Sequence, residues 1–349
     1  MKVAVYSISK NEEQFVKRWA ESAKDADMIL LADTGSTDNT VQVAKDLNIS
    51  VVEIEVNPWR FDVARNKSLD AIPEDYDYCI ALDLDEVLLP GWREELERMH
   101  EKRIMRPRYK YVWSWNDDGS EGLVYGGDKI HARSGCKWYH PVHEVLRFDT
   151  QESHEWCSIE IHHHADSSKS RGQYLPLLKL SVEEDPDDDR NAHYYARELL
   201  LYDHKDEALV EFKRHLALPR ATWKPERAAS MRYLSRCVDE SERVDWLLRS
   251  VAEYPEGREA LVELASYFYS IEDWHGCYFA ANRAIRITDK PLAYFCEDWA
   301  WNDYIYDIGS IAAFHLGQDE DALVWCAKAL EFKSNDERLL MNYDLIKGV

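Results

Sequence analysis

The sequence predicts two bodies of different class: an α/β domain built on a mostly parallel sheet over residues 1–172, then an all-α helical repeat domain over 173–349. Three observations carry this. From residue 1 to about 90, short β-rich runs alternate with helix-period segments, the pattern of parallel strands joined by crossover helices. Beyond the acidic connector Glu183-Glu184-Asp185-Pro186-Asp187-Asp188-Asp189, helix-period segments follow one another through short turns. Apolar positions in those segments recur at a nearly constant offset, the mark of stacked helix pairs.

Composition bounds the function. The 349 residues are 45% hydrophobic and 12% aromatic, ample for two packed cores. A formal charge of -23, with no basic block, disfavours nucleic acid and acidic membrane surfaces as partners. Met1-Lys2-Val3-Ala4-Val5-Tyr6 starts directly as a strand, with neither the basic nor the apolar region of a signal peptide. No apolar stretch approaches spanning length, so no membrane span and a cytoplasmic location are expected. Seven cysteines, scattered and without a Cys-x-x-Cys pair, fit neither a disulfide framework nor a zinc site and read as reduced thiols.

The first strand is expected over 2–9, and a helix over 11–24 places Phe15, Val16, Trp19 and Ala23 at helical spacing. A second buried strand, 28–32, ends at Asp33-Thr34-Gly35-Ser36-Thr37-Asp38, where Gly35 permits close approach of backbone to a ligand. Thr37 or Asp38 can cap the next helix. A third strand (50–56), a helix (62–71) and a fourth strand (77–84) follow, the last running into Asp83-Leu84-Asp85. Strand alternation would put both carboxylates on one side and Leu84 on the other. Such a pair suits Mg²⁺ or Mn²⁺, which takes one or two protein carboxylates and completes its shell with water and substrate phosphates. An isolated Asp-x-Asp is more often a strand end with an acidic exit turn, since the tripeptide is common, so its neighbours decide. Ligands of parallel sheets bind beyond the carboxyl ends of the strands, where Asp33 and the Asp83/Asp85 pair both lie. One site could hold a nucleotide at base and ribose, the other its diphosphate through a metal.

Four ordered motifs carry a resemblance. Ser9-Lys10-Asn11-Glu12-Glu13, Ala32-Asp33-Thr34-Gly35-Ser36-Thr37-Asp38-Asn39-Thr40, Phe61-Asp62-Val63-Ala64-Arg65-Asn66 and Leu82-Asp83-Leu84-Asp85-Glu86 occur in the order seen in family 2 glycosyltransferases with the GT-A fold. The sequence resembles the branch in which a tetratricopeptide-like helical region follows the catalytic domain. The resemblance implies that Asp33 reads the nucleobase or ribose, and that Asp62, Arg65 and Asn66 flank the nucleotide. It also implies that Asp83 contacts ribose and metal-bound water, and that Asp85 ligates the metal. Leu84 departs from the small residue common there, a tolerable change if it faces away from the metal. The alternative for Arg65 and Asn66 is a cap or surface ion pair, and for Asp33 a turn.

Pro90-Gly91 punctuates the chain before a helix at 92–100. Residues 104–115 alternate like an antiparallel edge strand, with Tyr109, Tyr111, Trp113 and Trp115 on one side; such a stripe is either core or a face on which sugar rings stack. A turn at 116–119 and a strand at 128–133 follow. Trp138-Tyr139-His140-Pro141-Val142-His143-Glu144-Val145 resembles the branch's Val-His-Glu segment. Inverting sugar transfer needs a general base, for which Glu144 is the choice and Asp118 the runner-up; the plain alternative pairs Glu144 with Arg147. Within Ile159-Glu160-Ile161-His162-His163-His164, period 2 sends His162 and His164 one way and His163 the other, with Ile159 and Ile161. The branch also shows a histidine near the end of its catalytic domain. His164, and next His162, are the expected ligands completing a site that suits Mn²⁺ at least as well as Mg²⁺, unless all three histidines are packing or surface groups. Lys169 and Arg171, in a loop at 167–172, could fold over the diphosphate or be solvated surface charges.

In the helical half, Ala208, Leu209 and Phe212, then Trp246 and Leu247, then Cys277 and Ala281, then Ala322 and Cys326 recur at offsets of about 35, 34 and 45 residues, close to the tetratricopeptide period with one longer unit. Trp274, Trp299 and Trp301 either line a groove or pack between repeats. The expected function is a metal-dependent, inverting glycosyltransferase. Its donor would be a nucleotide-diphosphate sugar, a hexosyl UDP-sugar being favoured, and its acceptor a hydroxyl on a glycan, protein or small molecule. The alternative is a repeat scaffold whose transferase-like domain binds nucleotide, with a protein partner on the helical repeats. A nucleotidyltransferase is the weakest reading, because no Gly-rich basic loop follows the first strand.

Overall fold

The computed structural model describes residues 1–116, 118–165 and 172–348, and they form two compact units, Met1–Glu184 and Asp185–Val349. The division falls after α5 (Tyr174–Glu184), so this helix goes with the first unit and not with the repeats that follow residue 172 in the sequence reading.

The first unit opens with β1 (Val3–Ser9), α1 (Glu13–Ser22), β2 (Met28–Asp33), α2 (Thr40–Asp46), β3 (Ser50–Glu53), α3 (Phe61–Asp70) and β4 (Tyr78–Ala81). These four strands are parallel in the order β3-β2-β1-β4, and β8 (Ile130–Ala132) closes the sheet antiparallel to β4. Alternation along β1 explains the layering. Val3 and Val5 enter one core with Trp19 of α1, whereas Ala4 and Tyr6 enter the other with Leu69 of α3. Strand order reverses beside β1, so the crevice at the carboxyl ends of β1, β2 and β4 is the natural ligand position.

Four further strands make a second sheet. β5 (Glu86–Leu88) begins it directly after the acidic motif, α4 (Trp92–Glu101) intervenes, and β6 (Arg106–Val112) and β7 (Val124–Gly127) form a hairpin. β11 (His154–His163) lies between β5 and β6, antiparallel to the first and parallel to the second. The stripe-bearing strand is therefore internal and partly parallel, not an antiparallel edge; a partner about fifty residues on covers its open side, which local alternation does not reveal. β9 (Cys136–Tyr139) and β10 (Val145–Phe148) form a separate hairpin.

Gly127 sits opposite Tyr109, and a Cβ there would lie 2.2 Å from the buried Tyr109 ring. Gly127→Ala should therefore destabilise the protein by about 1–3 kcal/mol through overpacking, read as a lowered Tm. An unchanged Tm would mean the ring yields without cost.

The second unit pairs α6 (Asp189–Leu201) with α7 (Lys205–Ala217), α8 (Lys224–Leu234) with α9 (Glu240–Glu253), α10 (Glu259–Ser270) with α11 (Trp274–Ile285), and α12 (Tyr304–His315) with α13 (Asp319–Phe332); α14 (Glu337–Lys347) follows. Asp188, Asp273 and Asp336 accept backbone N–H bonds at the starts of α6, α11 and α14. The longer repeat offset is the segment between α11 and α12. It folds back across the first helices of the earlier pairs: Tyr294 stacks on Tyr194, Glu297 pairs with Arg232, and Trp301 Nε1 donates to Glu259 (2.9 Å). Trp299 lies over Arg232, and Trp274 stacks on His315 at 4.1 Å. These three tryptophans are committed to packing between repeats. Among the described residues, no helix is long and apolar enough to cross a membrane.

Each unit buries a neutral histidine. His131 is held by Tyr6 Oη (3.0 Å) and the Ala132 carbonyl (2.8 Å), and His193 by Ser230 Oγ (2.7 Å). Burial pushes His131 down to about 4 and His193 to about 3. The unfolded chain takes up these protons near pH 6.5 and the folded one does not, so stability is full above pH 6.5 and falls as pH drops toward 4. His131 alone should contribute a loss of about 3 kcal/mol across that window. Urea unfolding at stepped pH measures it, and a flat profile between pH 6.5 and 4 would contradict the neutral assignment.

Candidate active site

The acidic motif is a turn rather than a strand end. β4 stops at Ala81, Leu82 N donates to the Tyr6 carbonyl (3.0 Å), and Asp83 and Asp85 occupy the bend before β5. The two carboxylates are consequently not a matched pair on one pleat face. Trp19 Nε1 of α1 donates to the Leu82 carbonyl (3.0 Å) and pins the bend to the core.

Asp83 faces two cations. Its oxygens accept from Arg65 Nη2 (2.9 Å) and Lys129 Nζ (2.8 Å). Lys129 also reaches Glu86 (2.5 Å), itself buried and bonded by Tyr111 Oη (2.6 Å) and the Asp83 N–H (2.8 Å). Arg65, on α3, pairs through Nε with Glu144 just before β10. Glu144, Arg65, Asp83, Lys129 and Glu86 thus alternate in sign along one chain of contacts. Partial burial works against ionising Asp83, yet Arg65 and Lys129 overcome it and hold its carboxyl well below the usual range. Burial raises Glu86 instead, with Lys129 opposing. Arg65 Nη1 is buried and has no hydrogen-bond partner among the described residues.

Asp85 faces His163. Pairing of β11 with β5 sets His163 opposite Glu86, and its Nε2 lies 3.4 Å from Asp85 Oδ2. The other ring nitrogen bonds the Trp113 carbonyl (2.9 Å), so Nδ1 carries the hydrogen and Nε2 of the neutral ring presents its lone pair to the carboxylate. Burial lowers the His163 pKa, but Asp85 and the Trp113 carbonyl outweigh it, and the net shift is upward. Two electron-rich atoms at that separation fit a proton or a small cation between them. The histidine whose ring is brought to Asp85 is therefore His163, whereas His164 and then His162 were the ligands expected from the sequence. His164 meets Asp85 only through its own backbone N–H (2.8 Å), and His162 Nε2 bonds Glu160 (2.6 Å) on the other face of β11. There Glu121, Glu160 and His162 converge, with Lys110 already between the two carboxylates.

The remaining expected residues separate. Asp33 is buried and its oxygens accept from Ser9 Oγ (3.3 Å), Gly35 N (3.0 Å), Ser36 N (2.9 Å) and Ser36 Oγ (2.5 Å), so it builds its own turn at the crevice edge. Asp62 binds Arg60, which also pairs with Glu184. Asn66, expected to flank the nucleotide, engages Trp138: its amide both donates to the Trp138 carbonyl (2.8 Å) and accepts from the Trp138 N–H (2.9 Å), docking β9 on α3. Glu144 pairs with Arg65, whereas Arg147 turns to His140 (2.9 Å). Asp118 is exposed in the β6–β7 turn and accepts from Ser120 (2.9 Å from N). Arg171 and Lys169 lie outside the described residues. Sequence reading missed Lys129, Glu86 and His163. Only the lysine opening a short strand, and the glutamate directly after the motif, could have signalled the first two.

Residues 5–133 match the family model described as Glycosyl transferase family 2. Uncharacterized glycosyltransferases of Rickettsia typhi and Rickettsia bellii are 32% and 33% identical over 97 residues, which is 28% of this chain and 32% of each relative. The chain thus spans about a third of the length of these curated relatives. A thermophilic TPR protein of Thermus thermophilus aligns at TM-score 0.33 and 17% identity over 51% of this chain and 92% of its own. Glucosyl-3-phosphoglycerate synthase of Mycobacterium tuberculosis, solved with Mn²⁺ and UDP, aligns at TM-score 0.27 and 24% identity over 32% of this chain and 44% of its own.

Proposed function

We propose, from the match of residues 5–133 to the model described as Glycosyl transferase family 2, that the protein moves a hexose from a nucleotide-diphosphate sugar, preferably a UDP-sugar, to an acceptor hydroxyl with inversion. The observation that carries this reading is Arg65, which joins Asp83 of the acidic turn to Glu144 and keeps one buried donor unfilled. A donor diphosphate would supply the missing acceptor for Nη1, and binding there would order it against Asp83. Asp33 and Asp62 flank the crevice on the nucleotide side. Asp85 and His163 would hold a divalent cation, because the carbonyl on Nδ1 leaves Nε2 free to ligate; Asp83, with both oxygens engaged by cations, would contribute less. Bound there, Mn²⁺ or Mg²⁺ would act as a Lewis acid on the leaving diphosphate.

Glu144 serves as the base. As the acceptor oxygen bonds to the anomeric carbon and the bond to the diphosphate breaks, the hydroxyl proton passes to Glu144, and Arg65 stays between the carboxylate and the developing phosphate charge. A thermal-shift panel of sugar nucleotides with Mn²⁺ tests the reading, followed by donor hydrolysis with and without chelator. Failure of every nucleotide sugar to raise the Tm, together with no hydrolysis, would favour the ligand-binding scaffold.

A further inference from the structure

Glu144 ends a loop that is costly to hold. Between β9 and β10, His140 and His143 carry φ of +79° and +50°, the left-handed region that a residue with a Cβ enters only at a cost. Such a backbone persists where its surroundings impose it. Elements already described supply part of that support. The Pro141 carbonyl accepts from the Phe61 N–H at the start of α3 (2.9 Å), Arg147 reaches His140 (2.9 Å), and Arg65 pairs with Glu144 itself. His143, the residue that directs the chain into Glu144, meets α5. The Tyr174 ring, at the start of that helix, meets the His143 ring at 5.8 Å and 60° and the Phe61 ring at 6.3 Å and 70°. Leu177 and Leu178 bury the inner face of α5. Its far end is fastened to the same region: Glu184 accepts from Arg60 Nη2 (3.0 Å), which also donates to Asp62 (2.9 Å).

We infer that α5 is a brace for the base, and that Tyr174 is a positioning residue which keeps His143 left-handed and thereby keeps Glu144 against Arg65. The inference rests on the transferase reading, in which Glu144 is the base, and gives a role to an element outside the matched segment 5–133. Relaxing His143 to the ordinary right-handed region would rotate the following peptide by roughly 110° and carry Glu144 away from Arg65 Nε. A base works only within hydrogen-bonding reach of the proton it takes, and a misplacement of about 1 Å is enough to slow a reaction severely. The donor side does not share this dependence. Asp33 and Asp85 lie on other loops, and Arg65 keeps its bond to Asp83 (2.9 Å) whether or not Glu144 stays. Tyr174 touches two rings, however, so a variant must separate its hold on His143 from its contact with Phe61 of α3. Glycine at position 143 does this, because it adopts a positive φ without support.

The test uses the full chain, Tyr174→Ala, Tyr174→Phe, His143→Gly and the double variant His143→Gly with Tyr174→Ala. The reaction followed is hydrolysis of the sugar nucleotide that most raises the Tm, with water standing in for the acceptor hydroxyl. In Tyr174→Ala, kcat should fall roughly tenfold while calorimetric donor affinity changes less than about twofold. Tyr174→Phe, which retains the ring, should stay near wild type. In the His143→Gly background, Tyr174→Ala should cost less than about a further twofold. An equal fall in both backgrounds, an unchanged kcat in Tyr174→Ala, or a matched loss of donor affinity overturns the inference; the last would place the effect of Tyr174 on α3. A second readout is independent of activity. In protein labelled with ¹³C,¹⁵N-histidine, the backbone shifts of His143 should leave their left-handed values in Tyr174→Ala and keep them in Tyr174→Phe, and unchanged shifts in Tyr174→Ala overturn the inference. Failure of the transferase reading has a different signature: the wild type binds and hydrolyses no sugar nucleotide, while the histidine shifts still decide whether Tyr174 holds the loop.

Discussion

Asp85→Asn is expected to lower transfer by roughly 10³-fold or more and to remove the Mn²⁺ dependence of donor binding, because a bound cation contributes several kcal/mol to stabilising the leaving group. The substitution keeps the shape of the side chain, and the backbone carbonyl of Asp85, which holds the end of β11 through the His164 N–H, is untouched. The Tm should accordingly change little. Calorimetric donor binding with and without Mn²⁺, beside steady-state transfer, reads the effect. Normal turnover with Mn²⁺ would show that the metal assignment is wrong. A paired comparison separates the three histidines: His163→Gln should weaken Mn²⁺ affinity, since it removes the Nε2 lone pair facing Asp85, and His164→Gln should not.

Glu144→Gln is the second large effect. A base acts on the acceptor proton in the transition state, so turnover should drop roughly 10²-fold or more with donor affinity nearly unchanged. The Gln carbonyl can still accept from Arg65 Nε, which keeps Arg65 in place between Asp83 and residue 144. The same two measurements on one variant decide the matter. Near-normal turnover would exclude Glu144 and return the role to Asp118, despite the exposed position and Ser120 bonds of that carboxylate. A matched loss of donor binding would instead place Glu144 among the groups that hold the donor.

Local pattern was enough for the broad architecture. Alternating strand and helix periods over the first ninety or so residues predicted a parallel sheet, and the sheet carries its acidic residues at the carboxyl edge as that pattern requires. Helical periodicity and repeated small residues marked the second unit, since each helix pair presents an apolar face that only a neighbour can cover. The longer repeat was visible as a changed offset, but its fold-back across earlier helices was not.

The site itself divides along the same line. Asp83, Asp85, Arg65 and Glu144 were legible as residue types in ordered motifs, yet their sequence neighbours do not say which charges meet. Lys129 reaches Asp83 only because β8 closes the sheet beside β4. His163, rather than His162 or His164, faces Asp85 because β11 pairs with β5 in one register, and a shift of one residue would turn all three rings over. Asn66 engages Trp138 because the β9–β10 hairpin docks on α3 from seventy residues away. Sequence by itself determined which residue types stand at which edge of the sheet. Tertiary structure decided the pairing of those groups, because long-range strand register is set by packing of the whole unit and leaves no trace in local spacing.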